Sequence, residues 1–182
     1  IPELESLPAD IHQRIFSIAE KSGFIPNIFL ALAHRPDEFR AFFAYHDALM
    51  EKEGGLSKAE REMIVVATSS LNQCIYCVVS HGAILRIRQK NPQISEQLST
   101  NYRNADITDR QKTMLEFSVK VAVASHEINK NDFDKLRKQG FSDEDSWDIG
   151  AITALFALSN RMANMAEIRP NREFYSLGRN EI

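Results

Sequence analysis

Glycine and proline are scarce in this chain, with 7 and 6 among 182 residues. No stretch of alternating Val, Ile, Thr and aromatic residues is flanked by turn dipeptides, so a β-sheet is not expected. No apolar run reaches the roughly 18 residues that a membrane span needs. The opening segment IPELESLPAD has no basic region and no apolar core. We therefore expect no export signal and predict a soluble cytoplasmic protein.

A strong excess of one charge is also missing, because the formal net charge is -3 and Lys and Arg are scattered. This balance gives no electrostatic reason to expect nucleic acid or a membrane as a partner. The chain has two cysteines, too few for a disulfide scaffold. In a reducing cytosol, a close pair of thiols is typical of catalysis, redox sensing or metal binding.

Helical periodicity is common along the sequence. Hydroxyl residues followed three positions later by an acid or amide predict helix starts by the capping-box pattern. These pairs are Ser57 with Glu60, Thr108 with Gln111, and Ser142 with Asp145. A polar helix is expected in NKNDFDKLRKQG, and Gly23 and the pair Gly54-Gly55 are expected to end earlier helices. We predict an all-α fold of about eight helices in one domain, residues 1–182.

The sequence contains a weak internal repeat. Cys74 and Ser159 each lie 17 residues after a predicted cap, Ser57 and Ser142 respectively. This spacing predicts one helical unit present twice, with the thiols in the first copy only. We expect an active half, a degenerate half and a carboxy-terminal tail, at about 24–90, 104–168 and 169–182.

Both cysteines lie in the segment SLNQCIYCVVSHGA. If Cys74 begins a helix after a break at Asn72 and Gln73, then Cys77 and His81 follow at i+3 and i+7 on one stripe. Free backbone N–H groups at a helix start favour a thiolate, so a low thiol pKa is expected there.

Cys77 has His81 four residues further on as a proton acceptor, and an imidazole changes charge near neutral pH. Glu62, on the preceding helix, is expected to face His81 and orient it. A nucleophile, a base and an orienting acid are the parts of a catalytic triad. The second thiol, Cys74, allows an oxidised sulfur to condense to a disulfide.

The residues alone leave two other interpretations open. The cysteines can be inert, small buried side chains. They can also bind zinc with His81, although a structural site needs a fourth ligand, and no other histidine has finger-like spacing. Covalent haem is excluded because Val78 stands where that motif requires a histidine.

The pattern Glu-x11-Cys-x2-Cys-x3-His in an all-α chain resembles the alkylhydroperoxidase D-like group of the carboxymuconolactone decarboxylase superfamily. It is most similar to the branch described as peroxidase-related proteins. The resemblance covers most of the chain. Its specific part is GGLSKAEREMIVVATSSLNQCIYCVVSHGA, and its lead-in is FIPNIFLALAHRPDEFRAFFAYHDALM.

The resemblance implies an all-helical fold with an internal repeat, forming a homo-oligomer (dimer, trimer or hexamer). It implies that Cys77 is the peroxidatic thiol, deprotonated through His81 and Glu62, and that Cys74 is the more exposed, resolving thiol. The substrate would be a hydroperoxide, and the electrons would come from a dithiol or a protein reductant. No cofactor and no metal is implied.

Tyr76 departs from the family pattern, since the best-known members have a histidine immediately before the second cysteine. A phenol with an ordinary pKa of about 10 cannot act as a base at neutral pH, so Tyr76 is expected to donate a hydrogen bond or to pack. This departure motivates a second hypothesis. The protein would then be a redox sensor or oligomeric stress protein with a reversible Cys74–Cys77 disulfide and little turnover.

Polar residues interrupt the apolar last helix. We interpret them as a polar helix face or an oligomer contact, with the lining of a pocket opposite the degenerate repeat as the alternative. They are Asn160, Arg161, Asn164 and Glu167.

Overall fold

The computed structural model describes residues 4–179, and within them the chain is all-α without strands, as predicted. The α-helices in that range are Ala9–Ser22 (α1), Asn27–Leu32 (α2), Pro36–Met50 (α3), Lys58–Leu71 (α4), Ile75–Gln89 (α5), Ile94–Asn101 (α6), Asp109–Ala124 (α7), Lys130–Lys138 (α8) and Asp143–Met165 (α9). Short 3₁₀ helices are Leu4–Ser6, Tyr102–Asn104, Ser125–Glu127 and Arg172–Tyr175. None of the helices in this range combines the length and apolar character that crossing a bilayer requires.

The predicted capping boxes begin α4, α7 and α9. In each, the cap hydroxyl accepts the backbone N–H three residues on, and the side chain there accepts the cap N–H. Asn129 forms a further box at the start of α8, which the sequence analysis did not anticipate. Gly23 ends α1 in the left-handed conformation (φ 83°), as expected.

The end of α3 was predicted too late. The helix stops at Met50, four residues before Gly54, because Glu51 is its C-cap. Gly55 has a different role, since a Cβ there would lie 2.3 Å from a carboxylate oxygen of Asp145. The glycine lets the loop before α4 pass close to the start of α9.

Helix α4 is the centre of the main core. It packs against α5, α6, α7 and α9, and every residue from Ala59 to Ser69 is buried. Glu62 is therefore enclosed, although its neighbourhood KAERE resembles an exposed helix turn. A second, smaller core joins α1, α2 and α3 around Phe29, Phe39 and Phe43. The thiols lie at the junction between α4 and α5.

Candidate active site

The break between α4 and α5 places Cys74 at a helix start, as the sequence predicted. Gln73 takes a left-handed conformation (φ 52°), and Cys74 follows it as the N-cap of α5. Its Sγ accepts the backbone N–H of Cys77 at 3.4 Å. Cys74 thus fills the capping position that an oxygen-bearing side chain usually occupies.

Both cysteines are free and buried, with relative exposures of 0% for Cys74 and 1% for Cys77. The expectation that Cys74 is the more exposed thiol is wrong for the single chain. As the N-cap, Cys74 turns inward, and both thiols pack in a cluster with Tyr76 and Ala163. Ile168, just beyond α9, packs against the same cluster.

Helix α9 brings polar groups to the thiols. The Ser159 hydroxyl lies 3.9 Å from the Cys77 sulfur. Asn160 is fully buried, donates from Nδ2 to Ser69 Oγ and accepts from Asn72 Nδ2, each at 2.9 Å. The surface interpretation of Asn160 was therefore wrong. Its position in an otherwise apolar helical stretch was the available signal that it faces inward.

The pKa values of the two thiols are shifted in opposite directions. The pKa of Cys74 is lowered to about 6, first by a hydrogen bond from the Cys77 thiol, against the opposing effect of burial. The backbone N–H groups of Cys77 and Tyr76 and the Asn160 side chain lower it further. The pKa of Cys77 is raised by its hydrogen bond to Cys74, by burial and by the neighbouring negative charge. The lowered pKa of Cys74 and the raised pKa of Cys77 favour a single negative charge within the pair at neutral pH, with Cys74 as the favoured site.

Glu62 and His81 form the predicted pair. His81 Nδ1 lies 2.7 Å from Glu62 Oε2, and the ring contacts Phe156 edge-on with centroids 4.7 Å apart. The other carboxylate oxygen of Glu62 accepts from Arg88 at 3.0 Å. Within residues 4–179 no hydrogen bond joins His81 to the Cys77 thiol. The ring is instead turned toward α4 and α9, although it lies one turn beyond Cys77 on α5.

Arg88 was missed by the sequence analysis. It lies seven residues after His81, hence on the same stripe of α5, and this spacing was the available signal. Besides Glu62, it donates to the carbonyl of Lys58 at 3.0 Å. Arg88 therefore fixes the carboxylate that holds His81.

Tyr76 is a buried, structural residue in this site. Its hydroxyl oxygen accepts the backbone N–H of Ile28, in the first turn of α2, at 3.2 Å. Burial raises the pKa of its phenol well above the usual value. Tyr76 thus ties α2 to the thiol cluster and stays protonated.

We expect Tyr76→Phe to lower the free energy of unfolding by about 1 kcal/mol, because it leaves the Ile28 N–H without its partner. The thiol chemistry should change little, because the ring and its packing are retained. Denaturant unfolding and hydroperoxide consumption, compared for the variant and the wild type, check both statements. A large loss of turnover without a loss of stability would instead make the phenol part of the chemistry.

A shallow cavity of about 270 Å³ lies beside the thiol cluster. Its lining residues are Ile75, Ala163, Asn164, Glu167, Ile168 and Arg169. Ala163 belongs to the thiol cluster and Ile168 packs against it, so the cavity approaches the sulfurs to within one layer of side chains. The zinc alternative requires further ligands here. In residues 4–179 no group of three or more His, Cys, Asp or Glu side chains has an arrangement suited to a metal ion.

The fold and site define an all-α protein with two buried thiols at a helix start and a histidine–carboxylate pair beside them. A model of the carboxymuconolactone decarboxylase family matches residues 36–96. A peroxidase-related protein from Ralstonia eutropha JMP134, described as an alkylhydroperoxidase AhpD core, is 64% identical. The alignment covers 99% of this chain and 95% of that one, with a TM-score of 0.98.

A peroxidase-related protein from Silicibacter sp. TM1040 is 41% identical over 96% of this chain and 91% of that one, with a TM-score of 0.92. The chain therefore belongs to the alkylhydroperoxidase D (AhpD)/carboxymuconolactone decarboxylase superfamily, among its peroxidase-related proteins. Sestrin-2 from Homo sapiens and from Bos taurus is 32% identical over 62 residues. That match spans 34% of this chain and only 13% of Sestrin-2. Membership supports a general peroxidase-related role.

Proposed function

We propose that this protein reduces hydroperoxides through Cys74 and Cys77. The observation that carries the proposal is the N-cap position of Cys74, where hydrogen bonds hold its pKa at about 6 beside a second thiol. The pair thus holds one thiolate at neutral pH, and transfer of the Cys77 proton to Cys74 moves that negative charge to Cys77, the sulfur that attacks in this proposal. The adjacent thiol limits the oxidation to a disulfide.

In the proposed cycle, the Cys77 proton moves onto the Cys74 thiolate, with which Cys77 is hydrogen-bonded. The Cys77 thiolate attacks the terminal peroxide oxygen, the O–O bond breaks, and an alcohol leaves after taking up a proton. The Cys77 sulfenic acid is then attacked by the Cys74 sulfur, and water is released as the disulfide forms. One thiol, one thiolate, one hydroperoxide and one proton taken up from solvent thus yield one disulfide, one alcohol and one water.

His81 supplies the proton to the departing alcohol in this proposal. Its Nδ1 is held by Glu62, so the other ring nitrogen faces away from the carboxylate and is free to act. Arg88 fixes Glu62. The Ser159 hydroxyl, 3.9 Å from the Cys77 sulfur, stabilises charge that develops there.

The remaining electrons come from outside the chain. An external dithiol or protein reductant must reduce the Cys74–Cys77 disulfide, as expected in a reducing cytoplasm. Both sulfurs are buried, so we propose that substrate and reductant approach through the cavity lined by Ile75 and Asn164. No cofactor and no metal takes part in the cycle.

The experiment is a steady-state assay of hydroperoxide consumption by the wild-type protein with a supplied dithiol. We expect catalytic consumption, together with the loss of two hydrogen atoms from the mass of protein treated with peroxide alone. The absence of both hydroperoxide consumption and the mass change would contradict the proposal.

The second candidate is a redox sensor, favoured by the Tyr76 departure and by the burial of both thiols. It predicts the same reversible loss of two hydrogen atoms, located to the peptide with Cys74 and Cys77, but negligible turnover with dithiol. The two measurements together therefore separate an enzyme, a sensor and an inert protein.

A further inference from the structure

The outer face of α9 is apolar and has no covering partner in residues 4–179. Trp147 is 73% exposed, Leu158 54% and Met165 72%. Between them Ala154 is exposed and Ala151 is half-buried. Together with Glu144 and Arg161 these positions recur at alternating spacings of three and four residues, as in a coiled-coil seam. We call this set the α9 seam: Glu144, Trp147, Ala151, Ala154, Leu158, Arg161 and Met165.

Gly150 lies beside the α9 seam, and no contact among residues 4–179 requires a glycine there. A Cβ added there would meet nothing within 4 Å, and its φ is not in the left-handed region. A glycine inside a helix is destabilising relative to alanine. Close approach of a second helix at this point would account for it.

The α9 seam also carries two opposite charges without ion-pair partners in residues 4–179. Glu144 lies near the start of α9. Arg161 lies near its end and donates to the carbonyl of Ala157 in its own helix, at 2.7 Å. When two copies of one helix run antiparallel, the start of each meets the end of the other. Opposite charges at the two ends then attract across the contact.

We propose that the α9 seam is a two-fold interface with a second copy of this chain, the two α9 helices packing antiparallel. In one register of the two helices, every position in the middle of the α9 seam faces a complementary residue of the second copy. Trp147 contacts Leu158 of the second copy, Ala151 contacts Ala154, and Glu144 pairs with Arg161. The two-fold axis passes beside Gly150 and the alanines, where small residues let the helices approach most closely.

The neighbouring register is less favourable. A shift of one heptad would pair Trp147 with Met165 of the second copy, but it would place the Arg161 guanidinium against Ala151 and leave Glu144 unpaired. In the first register the α9 seam is complementary to itself. A second copy of this chain is therefore the partner that fits it, because a surface that matches itself requires no other protein.

This interface lies on the outer face of α9, opposite the face that contacts the thiol cluster. Ser159, Asn160 and Ala163, on the inner face of α9, contact or adjoin the thiol cluster. Dimerisation would therefore hold the helix that presents these groups. The proposal does not depend on the reaction that the thiols perform.

Trp147 is the only tryptophan in the chain, so its fluorescence reports on the α9 seam directly. We expect the wild-type protein to show the blue-shifted emission of a buried indole and to sediment as a dimer or a multiple of dimers. Emission typical of a water-exposed indole, or a monomer at every concentration tested, would overturn the proposal.

The charge pair tests the register. Glu144→Arg and Arg161→Glu should each weaken association about tenfold, since each places two like-charge pairs in the dimer. The double variant should return to within about threefold of wild type. If the double variant associates no better than either single variant, the proposed register is wrong.

Trp147→Glu tests the apolar contact and should weaken association by about a hundredfold or more, because the contact occurs twice in a two-fold dimer. Val123→Glu is the control, since Val123 is an apolar side chain on α7 that is 65% exposed and is not part of the α9 seam. It should leave association unchanged. If the two substitutions weaken association equally, the α9 seam is not the interface. Circular dichroism confirms that each variant is folded.

Discussion

Cys77→Ser is expected to abolish catalytic consumption of hydroperoxide, with a loss of about a thousandfold or more. The substitution removes the sulfur that forms the sulfenic acid. The serine hydroxyl can still donate a hydrogen bond to Cys74 in place of the Cys77 thiol, which makes the largest contribution to lowering the Cys74 pKa. The loss of turnover therefore reports the missing Cys77 sulfur. Wild-type turnover that survives this change would contradict the assignment.

Cys74→Ser is the matched comparison and should behave differently. The Cys77 pKa is expected to fall, because the negative charge and hydrogen bond that raise it are gone. The variant should react with one equivalent of hydroperoxide, and a sulfenic-acid reagent should label Cys77. Turnover with a dithiol should nevertheless be slow, because no disulfide forms within the chain. Labelling of Cys74 in Cys77→Ser, with none of Cys77 in Cys74→Ser, would reverse the proposed roles.

His81→Asn is expected to lower turnover by about a hundredfold, the usual contribution of a positioned acid or base. Glu62→Gln should lower it by about tenfold, because Glu62 acts by holding the His81 ring at 2.7 Å. The double variant should be no slower than His81→Asn alone, since the two residues act as one unit. Additive losses would mean that Glu62 acts independently of His81.

Glu60→Gln is the control for the Glu62 substitution. Glu60 is also a buried carboxylate on α4, but it accepts the Ser57 backbone N–H at 2.9 Å and pairs with Arg110. The change should cost about 1 kcal/mol of stability, because Arg110 is partly exposed, and should leave the pH dependence of turnover unaltered. The same loss of turnover in both variants would indicate a general effect of removing a buried charge.

The helix starts were predictable from the sequence because the capping boxes are local. Ser57, Thr108 and Ser142 bond with residues three positions away, so no tertiary information is needed. The N-cap position of Cys74 was predictable for the same reason. The Glu62–His81 contact required one further step, the assumption that consecutive helices pack side by side.

Other features depend on helices that are distant in sequence. Asn160 faces the thiols because α9 packs against α4 and α5; the apolar stretch around it indicates an inward-facing side chain, but not which helices it meets there. The burial of Cys74 has the same origin, since Ala163 and Ile168 close over the cluster. Arg88 was visible only as a position seven residues after His81. The predicted internal repeat, at about 24–90 and 104–168, stays a prediction.

The central claim is that the pair of thiols holds one thiolate at neutral pH. The most direct measurement is a pH titration of thiolate absorbance in the wild-type protein, with Cys77→Ala for comparison. The account predicts a first ionisation near pH 6, since the folded protein lowers the Cys74 pKa to about 6 from an ordinary value of 9.0. In Cys77→Ala, which lacks the donating thiol, this ionisation should move upward. A wild-type protein with no thiolate below about pH 8, where an unperturbed thiol begins to ionise, would contradict the account.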